Sequence, residues 1–522
     1  MPLPGIEDIK SVELIVGMEI HVELAARSKM FCRSPNPAHL AFDGAPPNSL
    51  VDPVVLGLPG ALPVPNRAAV ESAVKVGLAL NCSIARRTKW DRKSYFYPDL
   101  PKGYQISQYD IPLCFDGSVD LPGLDDRGQP DPERPGRRIG IVRAHLEEDA
   151  GKLLHESPGG GALDGTLADF NRAGTPLLEV VTQPDFRSAD EAVAFARMLR
   201  SICRFLGVSE CVMQKGHIRF EPNINAALTL RDGRVVRTPI VEVKNLNSFK
   251  SLRGAIEFEA AEQPARWAHD RREMGRGTKT TRGWDDRLER TVAQREKEDA
   301  DDYRYFPDPD LPAVVIDDAW LASIRDGLPE LPAQRESRYV REYGLSKKEA
   351  AALLDEPGTC RFYESTIEEL VPLGVAGARA GRLAANFVLQ SGQRRANERG
   401  VGVETLGITP SALARIAALR EEGRLSSQSA DELFGFMCEP ENLGMDAAAL
   451  AAARGLLIVR DDAALERWCD EVIAANPKVA MDVTSGKVQA VGRLVGEVMK
   501  MAGAAADAKT VREALLRKLT PG

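Results

Sequence analysis

The sequence predicts an α+β protein. A mixed α/β domain fills roughly the first 312 residues and helices fill the rest. Three observations carry this. Residues 12–312 alternate short apolar-periodic segments with many Gly/Pro turns and hold all six histidines. From about residue 313 Ala, Leu, Glu and Arg dominate and β signals fade. The length of 522 residues exceeds what one hydrophobic core organises, so more than one domain is expected.

Composition narrows the class. Hydrophobic content of 43% and charged content of 28% belong to an ordinary globular protein. There is no apolar run long enough for a membrane span, and MPLPGIEDIK lacks the features of a signal peptide. The eight cysteines are scattered with no C-x-x-C pair, which fits a reducing cytoplasm. Net charge is −8, so any nucleic-acid contact must come from a local basic patch.

The first element is GMEIHVEL, residues 17–24. Strict alternation makes it a strand, with Met18, Ile20, Val22 and Leu24 on a core face. Glu19, His21 and Glu23 share the other face, either as a solvated edge or as a metal or acid/base site. In 88–110, Lys89, Arg92, Lys93 and Lys102 interleave with Tyr95, Tyr97 and Tyr104, a pattern suited to phosphates or a nucleotide end, or to a mixed surface loop. RAHLEEDAGK (143–152) sets Glu147, Glu148 and Asp149 side by side, flanked by His145 and Lys152. A regular strand would point Glu147 and Glu148 to opposite faces, so the strand must end or bulge for both to reach one site. Glu179, alone in the apolar run TPLLEVV, needs a partner: it is an ion-pair residue or a site residue.

Ser188 and Glu191 spell a capping box ahead of a helix with Ala192, Phe195, Ala196, Leu199, Ile202, Phe205 and Leu206 on its apolar stripe. In 214–225, His217, Arg219 and Glu221 share a strand face. VEVKNLNSFK (241–250) offers Lys244, Asn245 and Asn247 to a substrate or phosphate. The stretches 128–138, 157–165 and 275–286 read as loops, the last of them mobile. DADDYRYFPDPDLP (299–312) reads as an ordered extended arm closing the first domain. Residues 330–356 read as short helices broken at Gly344, with a second break near 400–410. Beyond Pro477 about eight basic residues face about four acids, a tail able to meet phosphates or a solvated helix face.

No P-loop, dinucleotide fingerprint or G-x-S-x-G nucleophile is present. A carboxylate/imidazole cluster with basic neighbours and no covalent nucleophile suits metal-assisted phosphoryl transfer.

Six blocks in this order resemble the B subunit family of the tRNA-dependent amidotransferase, GatCAB: GMEIHVEL, DRKSYFYPDLPKGYQISQ, RAHLEEDAGK, NRAGTPLLEVV, VEVKNLNSFKS and DDYRYFPDPDLP. GKVQAVGRLVGEVMK (486–500) resembles the family's YqeY-like tail. The resemblance implies a cradle catalytic domain over 1–312, a helical domain over 313–406 and a tRNA-binding tail over 407–522. It implies ATP and Mg²⁺ as cofactors, A (glutaminase) and C subunits as partners, and misacylated Glu-tRNA(Gln) or Asp-tRNA(Asn) as substrate. The side-chain carboxylate would be phosphorylated and then amidated by ammonia. Glu19, His21, Glu147 and Glu148 match the family's metal-binding positions, and Arg92 and Lys93 are candidate phosphate contacts. Two departures stand out. The usual zinc knuckle is reduced to Cys32 and DPVV (52–55), so no zinc is expected. GHIRFEPN (216–223) replaces the usual G-S-M-R-C-D-A-N, putting Glu221 where a metal-binding Asp stands. The alternative reading is a non-catalytic tRNA-binding or scaffolding paralogue with a drifted metal site.

Overall fold

A computed structural model describes residues 6–131, 133–156, 161–294, 303–458, 462–485, 487–502 and 508–519. Position 132, residues 157–160 of one expected loop, 299–302 of the extended arm and position 486 lie outside the described residues. The chain divides into two compact units, Met1–Leu331 and Pro332–Gly522.

In chain order the first unit gives β1 (Ile9–Glu23), α1 (Arg67–Ala79), β2 (Ser83–Ile84), β3 (Arg87–Thr88), β4 (Asp91–Ser94) and β5 (Tyr104–Ser107). Then come β6 (Cys114–Leu121), β7 (Arg137–Glu148), β8 (Lys152–Glu156), β9 (Ala162–Asp169), β10 (Pro176–Thr182) and α2 (Ala189–Phe205). β11 (Ile218–Leu230), β12 (Val235–Arg237), β13 (Val241–Lys244), α3 (Phe249–Asp270), β14 (Thr280–Asp285) and β15 (Arg290–Ala293) follow. β16 (Phe306–Pro307), β17 (Val314–Val315) and α4 (Asp318–Asp326) complete the unit.

A ten-stranded sheet runs β15-β14-β13-β11-β1-β10-β7-β6-β2, with β12 on β11. Its pairings are antiparallel except β13 with β14. The GMEIHVEL alternation holds: Met18, Ile20, Val22 and Leu24 are buried in the core with Phe195 and Leu199 of α2 and Leu252 and Ile256 of α3. Ser188 caps α2 by accepting from the Glu191 amide at 3.2 Å. The box closes differently from the expected form: Glu191 Oε2 accepts from the Arg187 amide and Oε1 from Arg137, so the acid also ties the helix to β7.

The expected mobile loop at 275–286 is corrected: Thr280–Asp285 is strand β14. It pairs with β13 and β15, with Thr281 buried and Trp284 packed on Phe258 of α3. The arm behaves as expected where it is described. Phe306–Pro307 pairs with β4 and Val314–Val315 with β3, while the buried Asp308 carboxylate accepts from Arg92 Nε at 2.7 Å. α4 then adds Leu321 and Ile324 to the core, so the first unit extends past 312 to Leu331.

The second unit holds α5 (Pro332–Tyr343), α6 (Lys347–Leu353), α7 (Pro357–Leu370), α8 (Gly377–Asn386), α9 (Gln393–Arg399) and α10 (Pro410–Glu421). α11 (Ser427–Met437), α12 (Ala447–Ala453), α13 (Asp462–Ala475), α14 (Pro477–Thr484), α15 (Val491–Ala502) and α16 (Ala508–Leu519) follow. Gly344 breaks α5 from α6 at φ +63°, where a Cβ is disfavoured. α10 packs against α7 and α8, so the helices on either side of 406 group together. α13–α16 have a core of their own, built on Cys469, Val483, Leu494, Val498 and Leu515. Several tail cations are paired within it, including Lys518 with Asp470 at 2.7 Å and Lys487 with Asp482 at 2.9 Å. Among the described residues no helix is long and apolar enough to cross a membrane.

The Arg92–Asp308 pair holds the arm to β4. Asp308→Ala takes one of two carboxylates from a half-buried guanidinium that keeps Asp310, and should cost about 2 kcal/mol. Hydrogen–deuterium exchange should then quicken at the amides of 308 and 316, which bond Trp90 and Arg86 carbonyls, and stay unchanged in α7.

Candidate metal and phosphate site

Sheet register assembles the site on the face opposite the helices. β1 is flanked by β10 and β11, and β7 lies beyond β10. One row across the strands reads Arg219, His21, Glu179, His145. The adjacent row sets Glu221 beside Glu19. Each strand thus offers titratable groups to one face because each spends its alternate positions on the core.

His21, Glu147 and Glu179 bring ligand atoms within 4.8 Å of one another. His21 Nε2 lies 3.4 Å from Glu179 Oε2 and 3.7 Å from Glu147 Oε1. Ligands around an octahedral ion with bonds of ~2.1 Å stand ~3.0 Å apart when adjacent and ~4.2 Å when opposite. The two separations from His21 fall between those limits. Two carboxylates and one imidazole are donors for a hard or borderline divalent cation, so the residues fit Mg²⁺ or Mn²⁺.

The electrostatics agree. Burial works to lower the His21 pKa, but its hydrogen bond to Glu179 and the charges of Glu221, Glu179 and Glu147 raise it to about 9. Burial, with the Glu179 charge beside it, pushes Glu147 up to about 7 against His21 and Lys93. Burial opposes the Glu179 charge too, yet His145, His21 and Lys93 hold that carboxyl well below the usual range. His145 is buried and pushed down to about 4, mainly by desolvation. A proton on His21 therefore supplies the positive charge that a bound cation would replace.

Glu148 is turned elsewhere. β5 lies across the end of β7: Gln105 Nε2 donates to the Glu148 carbonyl at 2.7 Å and Ile106 N to its Oε1 at 3.0 Å. Lys102 pairs with that same carboxylate oxygen. Glu147 takes the other side, accepting from Ser107 Oγ at 3.3 Å. The adjacent acids point to opposite faces, as regular strand geometry requires, and it is Glu179 that groups with His21 and Glu147. The sequence signal for Glu179 was its isolation in an apolar strand, without anything to say which partner it meets.

Glu19 and Glu221 stand beside the cluster with partners of their own. Asn223 Nδ2 donates to Glu19 at 3.1 Å, and Lys244 Nζ lies 2.6 Å from Glu221 Oε2. Lys244 is also 3.3 Å from the buried Glu242, and Lys279 bonds Glu242 at 2.8 Å. Asn245 ends β13 in the left-handed region at φ +64°, a conformation Asn tolerates, and lines a neighbouring cleft of about 640 Å³.

The two basic candidates on β4 divide by strand alternation. Arg92 faces the arm, bonded to Asp308 and, at 2.9 Å, to Asp310, with its guanidinium 4.2 Å over the Tyr104 ring. It is a clamp on the arm. Lys93 faces the cluster. Desolvation opposes its charge, but Glu147, Tyr305 and Glu179 raise its pKa, and its ammonium sits 4.7 Å over the Tyr303 ring.

A buried carboxylate/imidazole cluster faced by a lysine thus sits on a sheet backed by helices. Residues 14–322 match the GatB/GatE catalytic domain and residues 367–519 match the GatB domain; the chain belongs to this family. Proteins named as the B subunit of aspartyl/glutamyl-tRNA(Asn/Gln) amidotransferase are similar to it along nearly its whole length. The one from Thermomicrobium roseum is 44% identical, covering 96% of this chain and 98% of its own. The one from Rhodopirellula baltica is 43% identical (94% and 93%), and the one from Thermus thermophilus 41% (98% and 100%).

Mn²⁺ titration followed by electron paramagnetic resonance separates the two acids. Glu179→Gln should weaken binding at least about tenfold, and Glu148→Gln should leave it within about twofold.

Proposed function

We propose that the chain is the B subunit of a glutamine-dependent amidotransferase that converts Glu-tRNA(Gln), Asp-tRNA(Asn) or both to the amidated forms. The reading rests above all on the His21–Glu147–Glu179 cluster with Lys93 over it, in a chain with full-length relatives of that name. The substrates are ATP, the misacylated tRNA and ammonia released by a partner glutaminase, the A subunit. The C subunit completes the assembly, in the cytoplasm.

The chemistry answers one problem: a carboxylate is a poor electrophile towards ammonia. A side-chain carboxylate oxygen attacks the γ-phosphorus of ATP, the bond to the β-phosphate oxygen breaks, and ADP leaves. Ammonia then adds to the acyl carbon, the C–O bond breaks, phosphate departs and a proton is lost, leaving the amide. A bound Mg²⁺ would neutralise phosphate charge and orient the oxygens for in-line transfer. His21, Glu147 and Glu179 are assigned to hold it, and Glu19 and Glu221 to hold a second one or to order Lys244. Lys93 contributes a fixed positive charge to the transferring phosphoryl group. Glu148 fixes Lys102 and the β5 backbone, and Arg92 holds the arm in place. Lys244 and Asn245 face the aminoacyl end in the cleft. ATP-binding positions beyond these are not assigned.

Reconstitution with the A and C subunits tests the reading through ATP- and glutamine-dependent amidation of both misacylated tRNAs. Wild type should amidate at least one. Glu147→Gln and Lys93→Met should each lower kcat/KM by about 100-fold or more. Binding of tRNA with no amidation of either substrate would overturn the proposal.

A further inference from the structure

Among the described residues, the cleft beside the cluster contains one buried carboxylate oxygen without a donor. The cleft lining includes Glu23, Asp43, Asp169, Arg172, Arg219 and Glu221. Asp43 pairs with Lys215 at 2.5 Å, Asp169 accepts from the Asn48 and Asn171 amides at 3.0 Å, and Glu221 pairs with Lys244. Glu23 is different. It is 4% exposed, its carboxyl hydrogen-bonds Asp149, and its Oε1 accepts from no protein N–H or O–H donor. The nearby guanidiniums are committed: Arg219 bonds Asp149 at 2.6 Å, and Arg172 bonds the Ala150 and Gly151 carbonyls.

A buried carboxyl oxygen left unbonded costs free energy, and a ligand that supplies a donor recovers it. The second carboxyl group beside it, Asp149, is another acceptor, already paired with Arg219 at 2.6 Å and Arg172 at 3.7 Å, so the pair calls for a ligand that donates hydrogen bonds and not for one that accepts them. Position along the strand narrows the ligand further. Glu23 is two residues beyond His21 on the same face of β1, roughly 6.6 Å along the chain direction. The nitrogen and side-chain carboxylate of an acidic amino acid lie roughly 4–5 Å apart through bonds of ~1.5 Å. Such a residue, with its carboxylate towards the cluster, reaches Glu23 with its α-nitrogen.

We infer that Glu23 is the residue that recognises the free α-ammonium of the amino acid esterified to the tRNA. This rests on the function proposed above and adds to it a specificity: the enzyme accepts an aminoacyl end with an unblocked amine. Glu23 binds and orients; it takes no part in phosphoryl transfer or amide formation.

The test compares Glu- and Asp-tRNA with their N-acetylated counterparts in the complete heterotrimer, by equilibrium binding and by amidation. Wild type should bind the free-amine form about tenfold more tightly. Glu23→Gln should erase that preference while leaving the affinity for the acetylated form unchanged. Glu23→Asp should restore part of it. Equal binding of the free and acetylated forms by wild type would overturn the inference, as would a Glu23→Gln variant that keeps the preference. Amidation with no amine preference would overturn this inference alone. A preference lost in Glu23→Gln, without amidation by wild type, would uphold it and contradict the reaction proposed above.

Discussion

Glu179 carries a negative charge into the middle of a ten-stranded sheet, and the site is arranged around keeping it there. A lone buried carboxylate would neutralise itself or unfold its surroundings. Glu179 escapes both because His21, its pKa raised to about 9, stands opposite it on β1 and the Lys93 ammonium faces it, while His145 on β7 shares its level without adding charge at neutral pH. Lys93 comes from a separate three-stranded sheet, which is placed by β5 binding the end of β7. The arm then locks that sheet through Arg92 and Asp308. Remove the charge at Glu179 and the reason for this order of parts goes with it.

Much of this was legible in the sequence. Alternation alone separated the core face of GMEIHVEL from its polar face, and the α2 stripe came out with the expected side chains buried, apart from a half-exposed Phe205 and the added Ala189, Val193 and Cys203. The cluster was half legible. His21 and Glu147 were marked by their company, and Glu179 by its isolation. Register, which decides who meets whom, is a long-range property with no local signature. That is why the partners of Glu148 were not legible: Lys102 and Ile106 lie over 40 residues away in the chain. The same holds for Arg92, whose carboxylates come from the arm at 308 and 310. Strand β14 was hidden because its glycine and charged residues read as a loop, while its pairing to β13 is invisible locally. The grouping of α10 with α7 was equally silent, since helix periodicity gives a buried face without naming its neighbour.

The site divides its labour by strand position. The His21 row concentrates the groups suited to a divalent cation, and the Glu19–Glu221 row brings acids already balanced by Lys244 and Lys279. The Glu23 end opens on the cleft. An acidic aminoacyl group laid along β1 would meet phosphate chemistry at one end and a recognition group at the other. GHIRFEPN sits on β11 as the wall of this path, and its Glu221 is placed beside Glu19 by register rather than by any special turn.

Isotope transfer tests the central claim most directly. Misacylated tRNA labelled with ¹⁸O in both side-chain carboxylate oxygens would be amidated by the reconstituted complex, and the released phosphate analysed by mass spectrometry. Activation by phosphorylation predicts one ¹⁸O in each phosphate, because the oxygen that attacked phosphorus leaves with it. Unlabelled phosphate accompanying full amidation would contradict the account.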